Sequence, residues 1–132
     1  IIVGIKQNKG DVHLNIGTPL TSEEIAQAAM CDKNDRYQQI RHAVDKRVIE
    51  GYRLWKNNYI AYDMVNEGFK YSHMYDPADA EQFADYMRRQ LDTVEPEINR
   101  EELRHVFLDI YANPVVTKEL LEKEKGTGSI LI

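Results

Sequence analysis

IIVGIKQNKGDVHLNI, Ile1–Ile16, decides the fold class. IIVGIK is short, apolar and rich in β-branched residues, which favours a strand. QNKGD supplies Asn8 and Gly10 as turn residues. VHLNI then alternates, with Val12, Leu14 and Ile16 on one face and His13 and Asn15 on the other. Together the two arms predict a β-hairpin with one buried face. A lone hairpin is marginal in water, so this one needs more sheet, or helices lying on it. Left uncovered, it is a surface for self-association. The fold class that follows is α+β: a β-hairpin over 1–20, five or six helices over 21–125 and a tail over 126–132. A first residue of Ile, in what reads as a strand already under way, points to a C-terminal fragment of a larger protein; the alternative is a single domain.

Downstream of the hairpin the patterning is helical. TSEE, Thr21–Glu24, is a capping box, and a short helix through IAQAAM follows. From Asp35 onward, Tyr37, Ile40, Val44, Val48, Tyr52 and Trp55 recur in steps of three and four along one long helical face. KNN, Lys56–Asn58, predicts a break. The next helix ends at Gly68 as a C-terminal cap. Asp76 and Pro77 open another helix as N-cap and first residue, with Ala80, Phe83, Ala84, Met87 and Leu91 as its apolar face. Asn99 and Glu102 form a second capping box. That helix should stop before Asn113-Pro114, with Thr117 capping a last short one.

The chain has 132 residues and a net charge of −5, enough for one domain with a core. The negative balance disfavours nonspecific nucleic-acid binding. Charge is uneven, basic from Asp32 to Lys56 and acidic from Asp76 to Glu102. Cys31 is the single cysteine, so there is no internal disulfide and no four-cysteine zinc site; a reducing, cytoplasmic setting fits. No apolar run approaches a membrane span and no signal peptide is visible.

GDVHLNIGTPLTSEE resembles the late strand of the glycerolipid and lysophospholipid acyltransferase domain. In that family a strand of the form V-x-L/V-x-I/F-G-x-P-I/L closes the core sheet before a helix. Val12, Leu14, Ile16, Gly17, Pro19 and Leu20 match it. LWKNNYIAYD and DIYANPV look like pieces of helical extensions in some bacterial members. The resemblance implies acyl transfer from acyl-CoA or acyl-carrier protein to a glycerolipid hydroxyl, with no metal or bound cofactor. It also implies peripheral contact with the inner face of the membrane. The family's His-x-x-x-x-Asp motif is absent: none of His13, His42, His73 and His105 has Asp five positions later. The chain would then be the C-terminal part of such an enzyme, completing the sheet and covering it with helices, with no catalytic residue of its own. The alternative is a non-enzymatic helical protein-interaction module.

Other chemistry-bearing groups are sparse. His105 and Asp109 are one helical turn apart, as a base and its orienting group would be. His73, Asp76 and Asp79 have a spacing that can gather a divalent metal, against which stands the role of Asp76 as a cap. Cys31 follows a helix and lacks the helix N-terminus that lowers a thiol pKa. GTGS, Gly126–Ser129, lacks the Lys of a phosphate loop. LWKNNYIAYDMV, Leu54–Val65, has two readings. One is an interhelical corner with Trp55 largely buried and an Asn holding loose backbone ends. The other, conditional on the acyltransferase resemblance, is an aromatic-lined substrate-binding wall formed by Asn58, Tyr59, Tyr62 and Asp63.

Overall fold

The computed structural model describes residues 10–128. They form five α-helices and a 3-10 turn: α1 (Ser22–Ala29), α2 (Lys33–Gly51), α3 (Lys56–Val65), the turn Ser72–Met74, α4 (Pro77–Leu91) and α5 (Arg100–Gly128). The chain divides into two compact units, one ending at Arg53 and the other beginning at Leu54.

The described residues contain no strand, which corrects the α+β class and the N-terminal β-hairpin. The first arm of that hairpin, Ile1–Lys6, lies outside the described residues. Among the described residues the second arm has no strand partner, and Val12, Leu14 and Ile16 are exposed at 78%, 84% and 88%. Its polar alternates are the ones that approach α2. His13 Nε2 lies 3.2 Å from the Gly51 carbonyl oxygen. The Asn15 side-chain nitrogen sits 1.8 Å from where a Cβ on Gly51 would be, so only glycine leaves room for it there. Alternation fixes which side chains share a face, but a strand exists only as a member of a ladder. With no ladder partner among the described residues, the segment places its polar side on a helix.

In this N-terminal unit α1 opens on the expected capping box. The Thr21 N–H donates to Glu24 Oε2 at 2.7 Å and the Glu24 N–H donates to Thr21 Oγ1 at 3.2 Å. Glu24 also accepts Arg47 Nη2 at 2.8 Å, which ties α1 to α2. The backbone bond to Thr21 and the Arg47 pair hold the Glu24 carboxyl below its usual pKa. Asp32 caps α2 by accepting the Asn34 and Asp35 amides, both at 3.0 Å. The predicted stripe is on α2 but is largely uncovered, with Tyr37, Val44 and Val48 exposed at 62%, 42% and 58%. Ala28 is the one buried hydrophobic among the described residues of this unit.

α2 stops at Gly51, and the break falls over Tyr52–Trp55 rather than Lys56–Asn58. Trp55 is extended (φ −109°, ψ 163°) as the N-cap of α3. It is therefore not the last residue of the α2 stripe, and it is only partly buried.

The C-terminal unit has a closed core of Ile60, Ala61, Phe83, Met87, Leu108 and Ala112, where α3 packs against both α4 and α5 and these two pack on each other. α4 starts as its sequence predicts, with the Asp79 N–H donating to Asp76 Oδ1 and the Asp76 N–H to Asp79 Oδ2, each at 3.0 Å. Asn99 caps α5 by accepting the Glu101 amide at 2.9 Å. α5 does not stop at Asn113-Pro114 but runs through Pro114 to Gly128 as one helix. A proline inside a helix costs about 3 kcal/mol by removing an N–H and crowding the carbonyl four residues back. Here Leu108, Ala112, Val115 and Leu121 are buried on both sides of it, and packing of that extent outweighs the local loss. Of the predicted tail, Gly126–Gly128 belongs to α5 and 129–132 lies outside the described residues.

Candidate functional site

The four sequence-predicted binding residues sit on α3, and three kinds of contact separate them. Asn58 closes the helix start. Its Oδ1 accepts the Trp55 N–H at 2.7 Å, and its Nδ2 donates to the Tyr111 carbonyl on α5 at 2.8 Å. Both ends of that amide thus hold backbone groups, the job expected of an Asn at a corner.

Tyr59 and Tyr62 pack around Tyr71 from the following loop. The ring centroids are 5.0 Å apart for Tyr59–Tyr71 and 5.2 Å for Tyr62–Tyr71, the latter edge to face. Burial, then the Glu122 charge, raises the Tyr59 pKa. The Tyr71 hydroxyl donates to Glu119 Oε1 on α5 at 2.5 Å. Lys70 Nζ reaches the same oxygen at 2.6 Å and lies 5.4 Å and 5.3 Å from the centroids of the Tyr62 and Tyr71 rings. Burial and then the Glu119 bond push the Tyr71 hydroxyl up to about 12. For Glu119, burial acts upward, but the Lys70 and Tyr71 hydrogen bonds together win and hold the carboxyl below its usual range. A donor, an acceptor and a cation are all satisfied within this cluster.

Asp63 is 3% exposed. Its oxygens accept the Tyr71 N–H at 3.2 and 3.1 Å, and Oδ2 accepts the Tyr75 hydroxyl at 2.9 Å. Burial, then that bond, raises the Tyr75 hydroxyl to about 12. A buried carboxylate holding a backbone amide and a phenol organises the loop after α3. The α3 end itself departs from the predicted cap. The left-handed residue is Glu67 (φ 48°), not Gly68, and the Gly68 N–H returns to the Asp63 carbonyl at 3.0 Å.

Asp63 also lines a groove of about 570 Å³ with Ile60, Met64, Phe69, Tyr75 and Ala80 among its walls. Asn58, Tyr59 and Tyr62 are not among those walls. The structure therefore brings Tyr59 and Tyr62 together and places Asp63 between their loop and a separate groove.

The other candidate groups have plain structural surroundings. His105 Nε2 and Asp109 Oδ2 are 3.7 Å apart on an exposed face, too far for a hydrogen bond. Asp76 caps α4, and Asp79 accepts Lys56 Nζ at 2.6 Å. Among the described residues no three His, Cys, Asp or Glu side chains gather as a metal would need. Cys31 Sγ accepts from Gln39 Nε2 at 3.1 Å. Gly126–Gly128 is helical, not a phosphate-binding loop.

Tyr71, Tyr75, Phe69 and Glu119 were not legible as site residues. Glu119 meets Tyr71 from 48 positions away, and no local spacing signals that. Compared with protein-family models, with curated proteins and with solved structures, the chain matches none. Among the described residues, no helix is long and apolar enough to cross a membrane.

Proposed function

We propose that the chain is the C-terminal part of a glycerolipid-type acyltransferase. The supporting observation is the row Val12, Leu14 and Ile16, more than three-quarters exposed on the segment that carries the resemblance. An exposed apolar row of this kind is a surface that other residues can cover. Covering it would stabilise by roughly 25 cal/mol for each Å² of apolar surface removed from water. On this reading the catalytic His and Asp lie outside these residues. The acyl donor is acyl-CoA or acyl-carrier protein, the acceptor is a glycerolipid hydroxyl, and the work is done at the cytoplasmic face of the membrane.

The test is to read the residues encoded upstream of Ile1 and to assay the longer protein for transfer of an acyl group from acyl-CoA to a glycerolipid hydroxyl. The expected result is a His-x-x-x-x-Asp motif there, with activity lost when that His is replaced and reduced by Leu14→Asp. A longer protein lacking both motif and activity overturns the reading. The helical protein-interaction module then becomes the better account.

A further inference from the structure

The groove of the C-terminal unit combines apolar walls with charge of a single sign. Ile60 and Met64 of α3 face Pro77 and Ala80 at the start of α4, and Phe69, also among its walls, is 82% exposed. Its acidic lining residues are Asp63, Glu67 and Asp76, and its walls include no Lys, Arg or His. Two of the three carboxylates have internal duties, Asp63 to the Tyr71 amide and Tyr75 hydroxyl, and Asp76 to the α4 amide of Asp79. Glu67 has none among the described residues.

We propose that this groove docks a short basic and apolar segment of a partner protein. One bulky apolar side chain packs against Met64 and Phe69, and a neighbouring Lys or Arg sits at Glu67. The volume suits two or three side chains rather than a folded surface. The exposed Phe69 ring supplies apolar contact and a π-face for the cation. The one-sign lining selects against acidic segments, because like charge brought together in a partly desolvated groove is penalised. Glu67 occupies a left-handed position that glycine would take without strain. Exchanging it for glycine therefore separates a binding role from a structural one. The inference is independent of the acyltransferase reading, and its failure would leave that reading untouched.

The experiment titrates the isotope-labelled chain with two synthetic peptides alike but for charge, one of alternating Leu and Lys and one of alternating Leu and Glu. The Leu–Lys peptide should shift the amide resonances of Glu67–Phe69 saturably, and more weakly as salt is added; the Leu–Glu peptide should not. Glu67→Gly should raise the melting temperature yet weaken Leu–Lys binding by about two- to fivefold, the range of one partly exposed ion pair. Ala80→Phe, its fold checked by the same melt, should fill the groove and abolish the shifts. Equal binding of both peptides, or unchanged Leu–Lys binding to the Glu67→Gly protein, overturns the proposal.

Discussion

α2 is the longer helix and carries the predicted apolar stripe, yet it is the shorter α3 that buries its residues. Over α2, Tyr37, Val44 and Val48 stay largely in water and no residue of the helix is buried. Over α3, Ile60, Ala61 and Asp63 are all buried. The difference is not a missing contact at the helix start, since Asp32 caps α2 and Asn58 holds the Trp55 amide at the start of α3. It lies in what is available to cover them. α3 has two helices against it, α4 and α5, while among the described residues of its own unit α2 has only the short α1 and the segment before it. A stripe specifies a face and leaves its partner open. Stability should therefore be concentrated in residues 54–128.

The largest effect should come from the core of the C-terminal unit. Phe83 is 2% exposed, with Tyr111 edge to face at 5.2 Å, and Phe83→Ala should cost about 3–5 kcal/mol in urea melts. Val44→Ala on the α2 stripe should cost under about 0.5 kcal/mol. If the two losses came out comparable, the contrast between the units would collapse.

Asn58→Ala comes next. It removes the acceptor for the Trp55 amide and the donor for the Tyr111 carbonyl, and should cost about 1–2 kcal/mol. Loss of the corner should also show as a change in Trp55 fluorescence before global unfolding. Unaltered stability would mean that water replaces both bonds without penalty.

Glu119→Gln should have a smaller effect with a defined pH dependence. The folded pKa of Glu119 lies below its ordinary 4.5. Its contribution is therefore fully present above about pH 4.5 and is lost as pH falls through the lowered folded value. The wild-type advantage over the variant, under about 1 kcal/mol near neutrality, should shrink on acidification in this window, as read from melts at a series of pH values. An advantage that grew on acidification would contradict the Lys70 and Tyr71 bonds as its source.

Gly51→Ala should be the mildest. A Cβ there meets the Asn15 side chain, which is free to swing out, so stability should move by less than about 0.5 kcal/mol. The amides of residues 13–17 should nonetheless exchange faster with solvent. No change in exchange would mean that the segment is not held on α2 through Asn15.

Three helix starts were readable because their determinants are local. Thr21 with Glu24, Asp76 with Pro77, and Asn99 each act within four residues, and each caps a helix. The α4 face was readable for the same reason, with Phe83 and Met87 buried as their spacing requires. What failed depended on distant residues. Val12, Leu14 and Ile16 have the pattern of a strand, but pairing is a property of two segments. Pro114 signals a stop, and only the burial of Leu108, Val115 and Leu121 overrides it. At the α3 end, Gly68 is the better left-handed residue by sequence, yet Glu67 takes that conformation. That an Asn would hold backbone groups at the corner was legible, but not that Asn58 rather than Asn57 does so. The split between the Tyr59 and Tyr62 cluster and the Asp63 groove was not, because it is set by Tyr71 and Glu119.

The loop between α3 and α4 is fastened at its middle: the Tyr71 amide is held by Asp63, and the Tyr71 hydroxyl and Lys70 by Glu119. Exposed connections of this kind are ordinarily where proteases cut first, because cleavage needs a segment of chain to peel away. Here peeling must break a buried carboxylate contact and a shared ion pair together. Trypsin should therefore spare Lys70 while it cuts at exposed basic sites on the weakly covered α2, such as Lys46. Glu119→Gln should then turn the bond after Lys70 into an early cleavage site.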